Sequence, residues 1–292
     1  MDTRFLQSFV SVVECGSIAE AARQLDMTPA TIAQRLRALE AEIGSQLVVR
    51  SGRTVKPTVA GTRILERARS VLREVRDLES SATDTALPAG PLRLGAIPTG
   101  LTGIVPLILK KWVQRYPGIT IYIEPATSTV LYGRVIAGDL DAAVLVHPMF
   151  DLPKTCAWHG LRRESLVLLA PTGMKVKDPL ATITREPFIR YDRQVVAGKM
   201  ADDYLRRHGI RPRVRVELDG IEYVAKLVAE GLGVSVLPDW ALIGPGNPAL
   251  KRWPLPAPVP SREVGVFWQR ASVRAPLVEA FVALARPKFS VE

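Results

Sequence analysis

The chain has 292 residues, 47% of them hydrophobic and 23% charged, and a formal net charge of +10. That length suits about two domains with their own cores, and the composition is that of a soluble globular chain, which excludes wholesale disorder and collagen-like repetition. The greasiest region, Leu227 to Ile243, is interrupted by Glu230, Gly231, Gly233, Pro238 and Asp239, so no membrane span and no membrane partner are expected.

The opening MDTRFLQSFVSVVE carries acids and lacks a small-residue cleavage site after a clean apolar core, so it reads as a mature helix and the cytoplasm as the default location. Cys15 and Cys156 form neither a CxxC nor a CxxxH spacing, which argues against a disulfide framework and a structural zinc site. His147, His159 and His208 are too scattered for a helix-spaced metal pair, and no metal or other cofactor is expected. The positive charge suggests a polyanionic partner, yet residues 1–86 carry a net charge of only +1 and residues 87–292 carry +9. Local clustering says more: Arg35, Arg37, Arg50, Arg53 and Lys56 face only Glu40 and Glu42 across residues 30–56.

Leu6, Phe9, Val10 and Val13 recur at helical spacing, so a first amphipathic helix is expected from about Thr3 to Glu14, ended by Gly16. Ser17-Ile-Ala-Glu20 fits a capping box that opens a second helix running to about Leu25. Thr28-Pro29 then supplies an N-cap and a first-turn proline for a third. Two helices joined by a tight turn, the second entered through a hydroxyl cap, are what a helix-turn-helix requires to project its second helix into the major groove.

Ile32, Leu36, Leu39 and Ile43 form one stripe of the third helix, which leaves Ala30, Gln34, Arg37 and Ala41 on the opposite side. Gln34 can pair with adenine and Arg37 with guanine, Ala30 and Thr31 can touch a thymine methyl, and Arg35 on the flank suits phosphate. Thr28 and Pro29 at the helix start complete the expected contact set. Short β-prone runs on either side of Ser51-Gly52 read as a hairpin wing, on which Arg50, Arg53 and Lys56 would neutralise phosphates, with Arg53 at the tip entering the minor groove. A merely solvated ribbon is the alternative, and the position directly after a helix-turn-helix favours the wing. From Val59 to about Ser81 a long helix is expected, with Leu65, Ala68, Leu72 and Val75 as a seam for pairing with a second copy or for packing onto its own chain.

The run from Phe9 to Gly61, GSIAEAARQLDMTPATIAQRLRALEAEIGSQLVVRSGRTVKPTVAG at its core, resembles the DNA-binding domain of the LysR-type transcriptional regulators, and the resemblance extends along the whole chain. It is carried by Gly16-Ser17, Ala21-Ala22, Leu25, Leu39-Glu40, Gly44, Leu47, Arg50, Arg53, Thr58 and Gly61. The family usually opens its recognition helix with serine and glutamine, where this chain has Thr28 and Pro29, and Ala33 replaces a common hydroxyl. Those changes remove polar base contacts and bear on which operator is read.

Pro88-Ala89-Gly90-Pro91 breaks the long helix. Beyond it, strand-like runs at 92–97, 119–124, 142–146, 166–170, 188–191, 214–218 and 234–237 alternate with helical stretches ending near Tyr116 and Ala137, around Met200 to Arg207, and from Ile221 to Glu230. The alternation predicts an α/β architecture with largely parallel sheet. The resemblance implies two lobes like those of a periplasmic binding protein, the chain crossing twice between them. Gly90-Pro91-Leu92-Arg93-Leu94-Gly95, Tyr116-Pro117, Gly138-Asp139-Leu140-Asp141, Leu227 to Val234 and Leu237-Pro238 carry it there.

The expected organisation is a mainly α winged helix-turn-helix at 1–58, a dimerisation helix and hinge at 59–89, and an effector-binding domain at 90–292. Within the last, lobe I covers about 90–163 and 264–292, and lobe II about 164–263. Ligands in open α/β sheets sit beyond the carboxyl ends of strands, near helix N-termini. Thr99, Gly100, Thr127, Ser128, Thr129 and His147 from lobe I, and Gly198, Lys199 and Asp219 from lobe II, are the candidates for a small carboxylate effector. Asp219-Gly-Ile-Glu222 and Thr127-Ser128-Thr129 also fit plain helix caps, and the former cap outweighs a ligand role. Arg206, Arg207, Arg211, Arg213 and Arg215 read as solvated surface.

No catalytic constellation emerges. Gly198-Lys199 lacks the upstream glycine and the hydroxyl of a phosphate loop, GxSxG and HExxH are missing, and Gly231-Leu-Gly233 lies in the wrong order for dinucleotide binding. The reading is a non-enzymatic regulator that binds double-stranded promoter DNA and a small-molecule effector as a homodimer or homotetramer, with room for a contact to RNA polymerase. The resemblance further implies that effector binding alters the spacing of paired DNA heads. A solute-binding module with a vestigial DNA anchor is the alternative.

Overall fold

A computed structural model describes residues 1–52, 54–81, 87–88, 90–240 and 248–285. The chain divides into two units, Met1–Ala89 and Gly90–Glu292.

In the first unit, α1 (Thr3–Cys15) is capped by the Asp2 carboxylate and ends at Gly16, whose φ of +62° is the left-handed conformation that glycine adopts freely. The Ser17 hydroxyl accepts from the Glu20 N–H to open α2 (Ile18–Gln24), but the Glu20 carboxylate pairs with Arg23 instead of returning to the cap. The expected capping box is therefore half made, because a guanidinium one turn away outcompetes a backbone N–H for the carboxylate. Helix α3 (Pro29–Ile43) is capped by Thr28 and stops at Gly44. Its Ile32, Leu36 and Leu39 close a core with Phe9, Val12, Ala21, Ala22 and Leu47. Glu40 Oε1 accepts from the Leu47 and Val48 N–H groups at 2.8 and 3.2 Å, tying the end of α3 to the start of a hairpin made of β1 (Val48–Ser51) and β2 (Thr54–Pro57).

Helix α4 (Val59–Ser81) follows. A Cβ on Gly61 would lie 2.1 Å from the Leu47 carbonyl oxygen, so only glycine lets α4 cross the hairpin this closely. Of the expected intersubunit seam, Leu65, Leu72 and Val75 are half-buried and Ala68 is buried within the unit. Ala68 is 4% exposed and belongs to the core of this unit, with Leu65 and Leu72 packed against it. That stripe packs in part on its own chain, against α1. Besides Val59 at its start, α4 leaves Val71 and Leu78 outside, the latter 72% exposed, with Val75 half-buried between them.

The second unit is built on two sheets joined by long strands. The lobe I sheet runs β4 (Ile121–Pro125), β3 (Leu92–Ala96), β5 (Ala142–Val146), β11 (Ser261–Gln269) and the first half of β6 (Cys156–Pro171). The second half of β6 continues into lobe II, between β10 (Leu250–Pro254) and β9 (Ser235–Pro238). A bridge from Val234 to Phe188 adds the parallel pair β7 (Pro187–Tyr191) and β8 (Arg213–Leu218). Helices α5 (Pro98–Gly103), α6 (Val105–Arg115), α7 (Ser128–Ile136) and α11 (Ala275–Ala285) belong to lobe I; α8 (Pro179–Arg185), α9 (Val196–Arg207) and α10 (Ile221–Ala229) belong to lobe II.

The sheet is not largely parallel. Among the described residues β3–β4, β3–β5 and β7–β8 pair parallel, whereas β5–β11, β6–β11, β6–β10 and β6–β9 pair antiparallel. β6 runs from lobe I to lobe II and β11 runs back, so the two crossovers oppose each other. The stretch expected as one helix up to Tyr116 is two, meeting at Ile104, and α9 begins at Val196, a turn ahead of the expected Met200.

A buried cluster locks the start of this unit. Arg274 donates from Nε to Asp141 Oδ2 at 3.1 Å and from Nη2 to the Pro91 carbonyl at 2.6 Å, while Asp141 also accepts from the Arg93 N–H at 2.8 Å. Among the described residues no helix is long and apolar enough to cross a membrane.

Candidate nucleic-acid interface and effector cleft

On α3, Gln34 and Arg37 are exposed and lie opposite the buried Ile32, Leu36 and Leu39. Thr28, Pro29 and Ala30 are exposed at the entry of the helix, and Thr31 is half-buried. The Thr28 hydroxyl caps the Thr31 N–H at 3.2 Å and shares a 2.8 Å hydrogen bond with the Thr31 hydroxyl, so both are oriented before any ligand arrives. Arg35 is half-buried with its Nη1 enclosed and without a partner among the described residues, and its charge reinforces the stronger pull of Arg4 that holds Asp2 at about 2. It sits beside the N-terminus of α1 and is less free than a flank position implied.

The hairpin register pairs Val49 with Lys56 and Arg50 with Val55. Directly opposed residues share a face and neighbours along a strand alternate, so Arg50 and Lys56, both exposed, lie on opposite faces of the wing. A duplex against one flat face meets only one of them; an edge-on approach engages both. Arg53 lies outside the described residues.

In the second unit, a 630 Å³ cleft opens where the carboxyl ends of lobe I strands face α9 and α10. Thr99, Thr127, Ser128 and Thr129 line it from lobe I, Asp219 from lobe II. The N-termini of α7, α9 and α10 reach it, and none carries a side-chain cap. Their first backbone N–H groups therefore lack intrahelical acceptors and present partial positive charge. Neither cap box forms: Thr127 makes no capping bond, Ser128 Oγ accepts from the Val146 N–H at 3.1 Å, and among the described residues Asp219 Oδ1 accepts from the adjacent Gly220 N–H alone. Gly220, at φ +98°, takes the cap position itself, which displaces Asp219 from it.

Arg262 forms the floor. It is 7% exposed and bonds Glu164, 1% exposed, through Nε at 2.8 Å and Nη2 at 2.7 Å, while Nη2 also donates to Thr99 Oγ1 at 3.1 Å. The pair ties the two crossover strands to α5. Tyr191 faces the same space, and burial pushes its phenol up to about 12, with Asp219 and Asp192 adding to the rise and Arg262 opposing it.

A family model described as "LysR substrate binding domain" matches residues 85–290, and one described as "Bacterial regulatory helix-turn-helix protein, lysR family" matches residues 3–62. The chain belongs to the LysR family. This LysR-family chain is 27% identical to the "HTH-type transcriptional activator IlvY" of Haemophilus influenzae, over 97% of its own length and 99% of that protein. It is also 27% identical to the "HTH-type transcriptional regulator IlvY" of Escherichia coli, over 96% and 97%. Among solved structures it shares its fold with a full-length OxyR from Pseudomonas aeruginosa at a TM-score of 0.68 and 24% identity, covering 98% of this chain and 95% of that one. The "full-length CbnR complexed with the target DNA complex" gives 0.67 and 21%, covering 98% and 99%. The protein is thus a LysR-family transcriptional regulator with a helix-turn-helix DNA-binding domain and an effector-binding domain, not an enzyme.

Four of the residues expected in the LysR-family effector site lie elsewhere. Gly100 packs on β5, where an added Cβ would sit 3.0 Å from Val144 Cγ1. His147 is outside the cleft lining: its Nδ1 donates to the Pro148 carbonyl at 2.7 Å and its ring meets Trp158 edge-on. Gly198 permits close approach, since a Cβ there would lie 1.9 Å from the Asp192 carbonyl oxygen. Lys199, exposed on α9, opens instead onto an adjoining surface hollow that shares Asp192 with the cleft and adds Arg193, Asp202 and Arg206.

Sequence reading missed Tyr191, Asp192, Val195, Val196, Tyr223 and Arg262, all of which line the cleft. Tyr191 and Asp192 end a strand, so the carboxyl-end rule that found Thr99 could have found them. Arg262 gave no local signal; it reaches the cleft only because the second crossover strand passes beneath it.

Proposed function

We propose that Gln34 and Arg37 read base edges in the major groove and that a small organic carboxylate in the cleft sets how tightly the regulator holds its operator. The observation that carries the first part is the pair's exposure one turn apart on a helix whose other side is fixed in a core. Each such side chain contributes about 1–3 kcal/mol of discrimination, or roughly 5- to 150-fold between bases. A binding titration on the DNA flanking the reading frame tests it: Gln34→Ala and Arg37→Ala should flatten sequence preference. Uniform weakening on every duplex would reduce both residues to backbone contacts. Arg50 and Lys56 then hold phosphates on either side of a wing presented edge-on.

The effector reading is supported by the uncapped N-terminus of α7 and the hydroxyls of Thr99, Thr127, Ser128 and Thr129 around one cleft. By linkage, an effector that changes operator affinity is bound with an affinity changed by the same factor. Calorimetry with a panel of metabolites checks this. Binding only by cations or neutral compounds, unchanged in Thr99→Ala and Ser128→Ala, would refute it. A relative named a "Probable hydrogen peroxide-inducible genes activator" raises a thiol switch as a second reading. Cys15 and Cys156 fall in different units and Cys156 is buried, so the effector unit holds no second thiol for a disulfide.

Val71, Val75 and Leu78 form the stripe of α4 through which two copies pair. Relatives named as activators support an activating output, which in vitro transcription from the bound promoter would reveal.

A further inference from the structure

Charge is distributed unevenly across the cleft. Arg262 is the cation of its lining, and the Glu164 carboxylate at 2.7–2.8 Å already balances it. Asp192 and Asp219 face the same space from lobe II. Each accepts a single backbone N–H from its own turn, Gln194 at 2.9 Å and Gly220 at 2.7 Å, and among the described residues neither forms an ion pair. Asp192 also borders the neighbouring hollow with Arg193, Lys199 and Arg206, which answer part of its charge, whereas the exposed Asp219 has no cation paired with it among the described residues, so the wall as a whole stays acidic toward the cleft. An added monoanion faces repulsion there, and a dianion faces more.

The helix termini sort the poles. The approach to α7, Pro125-Ala126-Thr127, carries no acid, so its partial positive charge is uncompensated. The approaches to α9 and α10 carry Asp192 and Asp219 respectively, which answer those two dipoles in advance. Lobe I thus offers hydroxyls and an open helix N-terminus. Lobe II offers two carboxylates flanked by the rings of Tyr191 and Tyr223, groups that together attract an ammonium by charge and by the ring quadrupole. Between them the walls are apolar: Ile97, Pro98, Val146, Val195, Val196 and Ile221.

We propose that the cleft takes an amino-carboxylate zwitterion with an apolar body, its carboxylate on the α7 side and its ammonium on Asp192 and Asp219. This rests on the carboxylate reading above and adds the second pole. Tyr191 supports the geometry, since its phenol senses Asp192, Asp219 and Arg262 together and remains a neutral donor.

The test uses the full chain and two matched sets of probes in calorimetric titration. One set is phenylalanine, 3-phenylpropanoate and 2-phenylethylamine; the other is 6-aminohexanoate, hexanoate and hexylamine, in which the charges stand further apart. In at least one set the zwitterion should bind ten-fold or more tighter than both single-charge members. In the Asp192→Asn, Asp219→Asn double variant the preference for the zwitterion over the carboxylate should fall below three-fold, with carboxylate affinity kept or raised. If the carboxylate matches the zwitterion in both sets, the second pole is overturned while the carboxylate reading stands. If the amine matches the zwitterion, the carboxylate reading falls and this proposal with it. Silence from all six probes overturns the proposal, and the ratios in the unmodified chain decide without relying on the variant's folding.

Discussion

Replacing Glu164 by glutamine removes the charge that balances Arg262 while keeping the shape of the side chain. Glu164 and Arg262 are both almost fully buried, joined at 2.7 and 2.8 Å, and Arg162 Nε stands 3.7 Å from the second carboxylate oxygen. Breaking a buried pair by neutralising one partner costs about 3–5 kcal/mol, because the remaining charge stays desolvated. At about 2–4 °C per kcal/mol for a unit of this size, the melting temperature should drop by about 6–20 °C, toward the lower end because the glutamine oxygen still accepts. All five tryptophans, Trp112, Trp158, Trp240, Trp253 and Trp268, belong to the second unit, so tryptophan fluorescence follows its unfolding alone. The freed guanidinium should also hold 3-phenylpropanoate more tightly, so that this probe raises the melting temperature more in Glu164→Gln than in the parent. The double replacement Glu164→Leu, Arg262→Met, which leaves no charge stranded, should melt above Glu164→Gln. A Glu164→Gln protein that melts within about 2 °C of the parent would refute the reasoning, since the pair would then be screened by water.

Truncating Leu39 to alanine in the core of the first unit should cost about 2–5 kcal/mol and abolish operator binding, while the tryptophan-detected transition stays where it was. Tyr191 predicts an alkaline limb: its folded pKa of about 12 lies above the ordinary 10. The neutral phenol's contribution is whole below pH 10 and is lost between 10 and 12, about 2–3 kcal/mol in all. Tyr191→Phe should flatten that part of a stability profile measured by urea unfolding, and an unchanged slope would count against the burial of the ring. Glutamates at Val71 and Leu78 should convert the protein toward monomer in sedimentation velocity, whereas matching changes on the wing should not.

Helix periods, caps and turn glycines are local quantities, which is why α1, α2, α3 and α4 were legible within a residue or two and why the exposure of Gln34 and Arg37 followed from the phase of Ile32, Leu36 and Leu39 alone. Other properties were not local. Which stripe of α4 the first unit claims depended on how closely Gly61 lets α4 approach, and this turned the expected Leu65, Ala68 and Leu72 seam inward in part. The faces taken by Arg50 and Lys56 depended on a hairpin register set across the turn. The directions of β6 and β11, the position of Arg262 beneath Thr99, and the separation of Lys199 from the cleft came from strands that run between lobes and pair residues some hundred positions apart. Sequence alone therefore determined the helices of the first unit and which face of α3 is exposed, because neighbours along a helix report their own phase. Only tertiary structure decided which charges meet in the cleft, because burial and pairing belong to residues that the chain keeps far apart.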